Sequence, residues 1–242
     1  NGDFISAKGT TLGGDDGIAV AYALAILDDD SIAHPRLEFV CTVSEEVGME
    51  GASSIDVSML KGKKLLNMDS EEEGIMLASC AGGCSSRVTL KLDKNKITGT
   101  KLSITLSGLT GGHSGVEIDK GRGNANVLMS RILRDAMIDN NVYLAAFNGG
   151  RKDNAIPREC MTEIIVAADK AADVKAAIEN TAKEIKEEFA TSDADLKCVI
   201  DISEGCSAEA VTYEDSIRAV SLIQSLPNGI MRMSQDIDNL VE

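Results

Sequence analysis

Histidine is nearly missing from this chain: His34 and His113 are its only two imidazoles in 242 residues. A metal centre built mainly from histidine is therefore excluded within these residues. Basic residues are also short, 24 Lys and Arg against 39 Asp and Glu, for a net charge of −15. Phosphate binding needs a basic face, so nucleic acid is not an expected partner. No Cys-x-x-Cys pair occurs among the six cysteines, and Cys80 and Cys84 are separated by three residues with no histidine nearby, which is weak for zinc. Cys41 and Cys198 lie in apolar, strand-like runs and are expected to be buried, reduced thiols, which points to the cytosol. No apolar run reaches the length of a membrane span, so no membrane partner is expected. The start, Asn1-Gly2-Asp3-Phe4, has no signal-peptide character. It also lacks an initiator Met, and the chain is expected to begin inside a longer protein.

What the chain does have is enough apolar content for a packed core, 43% hydrophobic residues, and three acidic clusters early on. These are Gly13-Gly14-Asp15-Asp16-Gly17, Ser44-Glu45-Glu46-Val47-Gly48 and Asn67-Met68-Asp69-Ser70. Residues 15–28 are apolar on nearly every face, which predicts a helix buried between other elements, with Asp15 and Asp16 at its positive amino end. Residues 36–43 and 64–68 read as strands leading into the second and third clusters. Strand, loop and buried helix in alternation predict a parallel α/β sheet, with carboxylates gathered at its carboxyl edge, where such sheets keep their sites.

Beyond a boundary near residues 78–84 the pattern changes. Residues 85–92 and 101–107 alternate with period two, as in antiparallel strands with one open face. A helix is expected over 124–138, strands near 142–147 and 160–168, and a helix over 173–189 with Val174, Ile178, Ile185 and Phe189 on one face. A strand follows at 196–202, then Thr212 and Asp215 in capping-box spacing before a helix that stops at Pro227-Asn228-Gly229. This order is close to a split βαβ (ferredoxin-like) sandwich, with helices on one face of a mostly antiparallel sheet. The expected division is 1–80, part of an α/β domain; 81–235, an α+β domain; and 236–242, the start of a return to the first.

Carboxylates at three strand ends suit a two-metal hydrolase, whose ions sit roughly 3.5–4 Å apart and profit from a bridging carboxylate. Asp15, before a glycine turn into a helix, suits the bridge. Glu45 and Glu46, in a loop past a strand, can both turn to one site, one binding metal while the other accepts a proton from water. Asp69 can cap a second ion. Each cluster has a plainer reading as well: Asp-Asp as a helix N-cap, Glu-Glu as a solvated loop, and Glu71-Glu72-Glu73 as a solvated run. His113, in the flexible loop Gly111-Gly112-His113-Ser114-Gly115, is a candidate for function or simply exposed, and His34 reads as structural.

These motifs, with Ala7 to Ile18, Gly123-Asn124-Ala125-Asn126 and Asn154-Ala155-Ile156-Pro157-Arg158-Glu159, resemble the cocatalytic dizinc metallopeptidases. Within that family they are most similar to the aminoacyl-histidine (Xaa-His, carnosinase-type) dipeptidases, in order over essentially the whole chain. The resemblance implies a zinc-peptidase α/β catalytic segment followed by a split-βαβ lid, and a cytosolic enzyme that hydrolyses Xaa-His dipeptides with two zinc ions, with manganese or cobalt as substitutes. By position it makes Asp15 the bridging ligand, Glu46 and Asp69 terminal ligands, and Glu45 the general base. It makes His113 an oxyanion or substrate contact, sometimes across a homodimer interface, and Asn154 and Arg158 contacts for the substrate carboxylate. The family's two ligand histidines have no counterpart here, so the chain alone is expected to be an inactive fragment. The alternatives are a tripeptidase or N-acyl amino acid amidohydrolase of the same superfamily, and a non-catalytic dimerisation or binding module.

Overall fold

The computed structural model describes residues 5–9, 12, 14, 16–70, 73–77, 82–238, 240 and 241. The chain divides into two compact units, Asn1–Gly82 and Gly83–Glu242.

In the first unit the apolar run after the first acidic cluster forms helix α1, Gly17–Asp28. Asp16 is its N-cap, its carboxylate accepting the Ala19 N–H at 3.3 Å. The expectation of a buried helix is corrected: none of its residues is buried, and Leu24 and Leu27 are 60% and 62% exposed. The strands expected at 36–43 and 64–68 likewise do not form, and no strand forms among the described residues of this unit. Alternation sets which side chains share a face, but a strand exists only where a neighbour takes its N–H and C=O groups. Without that neighbour the side chains meant for a core stay in solvent, and Cys41, expected to be buried, is exposed. A short helix α2, Glu50–Ser54, follows the second acidic cluster.

The second unit is built on four antiparallel strands: β1 Lys94–Ser107, β3 Tyr143–Gly149, β5 Cys160–Val166 and β6 Lys197–Val211. Two-residue strands β2 (Gly112–His113) and β4 (Ala155–Ile156) pair separately. The main order is β3-β5-β1-β6, the split βαβ arrangement, with helices α3 Ala125–Met137, α4 Ala171–Glu188 and α5 Tyr213–Ser225. On β1 the period-two pattern buries Thr100, Leu102, Ile104 and Leu106, while Lys101, Ser103 and Thr105 are half-buried on the other face. The buried set joins Leu128, Ile132 and Leu133 of α3, Ile178 and Ile185 of α4 and Val220 of α5 in one core. Each such Leu or Ile contributes about 1.5–3 kcal/mol.

Two expectations shift here. Residues 85–92 form no strand, and β1 begins only at Lys94, where β6 first offers a partner in Val211. Strand β6 in turn runs to Val211 rather than stopping at 202, because the start of β1 pairs with it. The register shifts between Gly99 and Lys101, opposite Gly205 at φ +62°. At the other edge, a shift between Leu144 and Ala146 frees backbone groups that distant side chains satisfy. Ser216 Oγ accepts the Leu144 N–H at 2.8 Å, and Lys94 Nζ donates to the Ala145 carbonyl at 2.7 Å. Helix starts match their caps: Asn124 accepts the N–H groups of Asn126 and Val127, and Thr212 Oγ1 accepts that of Asp215.

Candidate functional site

Glu45 and Glu46 lie on a short 3-10 turn, Glu45–Val47, flanked by Ser44 at φ 60° and Met49 at φ 55°. Left-handed backbone at two non-glycine residues is strained and persists where the surroundings hold it. The Met49 N–H donates to the Ser44 carbonyl at 2.9 Å, and the Gly51 N–H to the Val43 carbonyl at 3.1 Å, closing the turn at its base. Asp69 sits in an Asx turn, its N–H donating to Asn67 Oδ1 at 3.0 Å. Asp15 lies outside the described residues, as do Cys80, Glu71 and Glu72.

Carboxylates suit hard or borderline cations. Glu45, Glu46 and Asp69 are all exposed, however, and among the described residues no three His, Cys, Asp or Glu side chains form a metal-holding group.

In the second unit the loop after β1 folds back so that β2 pairs with β4, His113 opposite Ala155 and Gly112 opposite Ile156. The Ser114 N–H donates to the Asn154 carbonyl at 2.9 Å. The Arg158 stem lies over Gly111, where any Cβ would strike it, and its Nε donates to the Leu109 carbonyl at 3.3 Å. Three residues singled out in the sequence, His113, Asn154 and Arg158, thus stand on two short facing segments, all exposed. The His113 ring accepts the Gly115 N–H at Nδ1, 2.9 Å away. Its backbone N–H donates to Glu117 Oε2 at 2.9 Å. Glu117 is ion-paired to Arg122 at 3.0 Å, and its carboxyl is held below the usual range chiefly by the His113 N–H, with Arg122 adding to it. His34 is exposed, with Nδ1 2.7 Å from the Pro35 carbonyl oxygen.

Beside this pair of segments is a cleft of about 860 Å³ lined by Ser114, Arg122, Asn126, Arg151, Lys152 and Asn228 among others. That volume suits a small ligand. Positive side chains at its wall are notable in a chain of net charge −15. The Asn126 Oδ1 is buried beside it with no hydrogen-bond partner, against Gly149, where a side chain would collide with it. Sequence reasoning did not single out Arg122, Arg151, Lys152 or Glu117. Their only signal was charge close to the glycine-rich and Asn-Ala-Ile-Pro-Arg motifs.

Residues 104–193 match the peptidase dimerisation domain. The whole chain is 40% identical over 245 residues to the cytosol non-specific dipeptidase of Escherichia coli (strain K12), covering 50% of that protein. It is 24% identical over 241 residues to the uncharacterized protein YqjE of Bacillus subtilis (strain 168), covering 59% of it. Among solved structures, aminoacylhistidine dipeptidase from Vibrio alginolyticus superposes over all of this chain and half of its own, with a TM-score of 0.73 at 32% identity. The chain spans roughly half the length of the relatives it matches.

Proposed function

We infer that this chain, which belongs to the aminoacylhistidine dipeptidase family of metallopeptidases, works as part of a hydrolase that cleaves dipeptides, Xaa-His among them. The observation that carries the reading is the β2–β4 pairing. It brings the segments that carry His113, Asn154 and Arg158 face to face next to a small-ligand cleft, in a chain 40% identical to a dipeptidase. A dipeptide presents a polarised carbonyl and a terminal carboxylate a few ångströms apart, the two groups that such a trio can recognise.

Each residue then has a role. The His113 Nδ1 is occupied as an acceptor, so its Nε2–H is the donor offered to the oxygen of the scissile carbonyl. Asn154 and Arg158 take the carboxylate end. Glu45 takes the proton of the attacking water. Asp15, Glu46 and Asp69 are the carboxylates that would hold the metal ions. Zinc is the favoured metal, two ions in the complete site, with manganese or cobalt as substitutes; bound there, it supplies Lewis-acid polarisation. The dimerisation domain match supports a homodimer, and the relative's cytosolic name supports a cytoplasmic home. The 242 residues alone, with carboxylates but no suitable histidines, are proposed to be inactive.

Replacing Glu45 with Gln in the full-length protein tests the mechanism: turnover is expected to vanish while bound metal is retained. Activity that survives the change rules out Glu45 as the base. Profiling dipeptides, tripeptides and N-acyl amino acids separates this reading from its sister activities. A protein that cleaves none of them, yet self-associates, is instead a dimerisation module.

A further inference from the structure

Asp193 is fully buried, and nothing in the proposed chemistry uses it. Its Oδ1 accepts the Thr110 N–H at 2.8 Å, and its Oδ2 accepts the Gly123 N–H and the Ser192 hydroxyl, each at 2.8 Å. Thr110 Oγ1 also donates to the Ser192 carbonyl at 2.7 Å. Thr110 and Gly123 are the two ends of the loop that carries His113. One carboxylate therefore closes that loop, from a position 83 residues beyond one end and 70 beyond the other.

Inside the loop the constraint continues inward. Arg122, next to Gly123, donates to the Gly111 carbonyl at 2.5 Å and pairs with Glu117 at 3.0 Å. Glu117 holds the His113 N–H, and His113 Nδ1 receives the N–H groups of Gly115 at 2.9 Å and Val116 at 3.3 Å. A nitrogen that accepts an N–H carries no proton, so the neutral ring has its proton on Nε2. Only an ionised carboxylate can accept at both oxygens from the loop's two ends; an amide would turn an NH2 against one of those N–H groups.

We propose that Asp193 is a positioning residue for His113, holding the loop closed so that the imidazole stays in one tautomer with Nε2–H presented to substrate. The second half of this statement rests on the role given to His113 above; the first does not.

The test uses the 15N-labelled 242-residue chain, whose two histidines can be assigned with a His34→Ala variant. Long-range 1H–15N spectra of the neutral ring should show His113 as a single Nε2–H tautomer. In D193N the two ring nitrogens should move toward averaged, mixed-tautomer shifts, and the Gly115 amide should move with them. If D193N does not fold, Ser192→Ala, which removes one donor to the carboxylate, should move the same signals less far in the same direction. Ring signals that superimpose on the wild type in a folded variant overturn the proposal.

Activity in the full-length protein then separates the two halves. D193N should lower kcat about ten- to a hundredfold with KM little changed, the scale of a misplaced catalytic group, and should cost little more in an H113A background. If H113A leaves turnover intact, the substrate role of His113 falls while the loop mechanism stands. If H113A is damaging and D193N adds its full loss on top, Asp193 does not act through His113.

Discussion

Gly51 lies so close to the backbone of Val43 that a Cβ built on it would come within 2.5 Å of the Val43 nitrogen and 2.6 Å of its carbonyl oxygen. Between these two residues sits the strained turn that carries Glu45 and Glu46. The contact is backbone to backbone, so no side-chain rotation can relieve an added methyl. Gly51→Ala is expected to cost about 1–3 kcal/mol, the usual scale of overpacking, and to shift the Glu45–Val47 amide resonances. Unchanged resonances there mean that the Gly51–Val43 contact does not hold the turn.

The carboxyl of Asp193 yields a pH prediction. Burial pushes its pKa up, but hydrogen bonds from the N–H groups of Gly123 and Thr110 and from Ser192 outweigh that and hold it below the ordinary Asp range. Its contribution to stability is therefore fully present above the unfolded-state value, about 3.9, and is lost as pH falls through the lower native value. Urea unfolding should find D193N less stable than wild type by about 1–3 kcal/mol near neutrality. That gap should close in acid, below the unfolded-state value. A gap that stays constant into acid assigns the loss to something other than the charge.

Thiol reactivity should follow burial. The Cys160 thiol is pushed up to about 12 by burial, and Cys198 to about 11 by burial with Glu179 adding to it. Both face Leu106 from the strands on either side of β1. Cys41 and Cys84 are exposed. At pH 8 an alkylating reagent should label Cys41 and Cys84 first, and Cys160 only when the chain is unfolded, as peptide mass spectrometry would read. Early labelling of Cys160 contradicts the packing of this core.

A calorimetric zinc titration of the 242-residue chain should show weak binding, because Glu45, Glu46 and Asp69 are exposed and loss of supporting groups around a metal typically costs 10- to 100-fold in affinity. Tight binding of two ions would show that these residues complete a site on their own.

How much of this was legible beforehand depends on the range of the interaction concerned. The helix expected over 124–138 appears as α3, and its cap Asn124 and apolar Leu128, Ile132 and Leu133 all lie within a few turns of one another. Helix α5 follows from Thr212 and Asp215 in the same way, and the inward face of β1 from strict alternation. The same alternation misled at 85–92 and 36–43, because it reports a shared face and says nothing about whether a partner strand is present.

Sequence by itself, then, determined the local elements of the second unit, the residues worth suspecting and the family they resemble, since caps, periodicity and motifs are short-range. Only the tertiary structure decided which of them meet. It set His113 beside Asn154 through a two-residue ladder, left α1 bare, and brought the Asp193 carboxylate to both ends of a loop it follows by 70 residues or more. No local pattern encodes such a pairing, because the acceptor and its donors come together only when α4 and the loop after it have packed against the sheet.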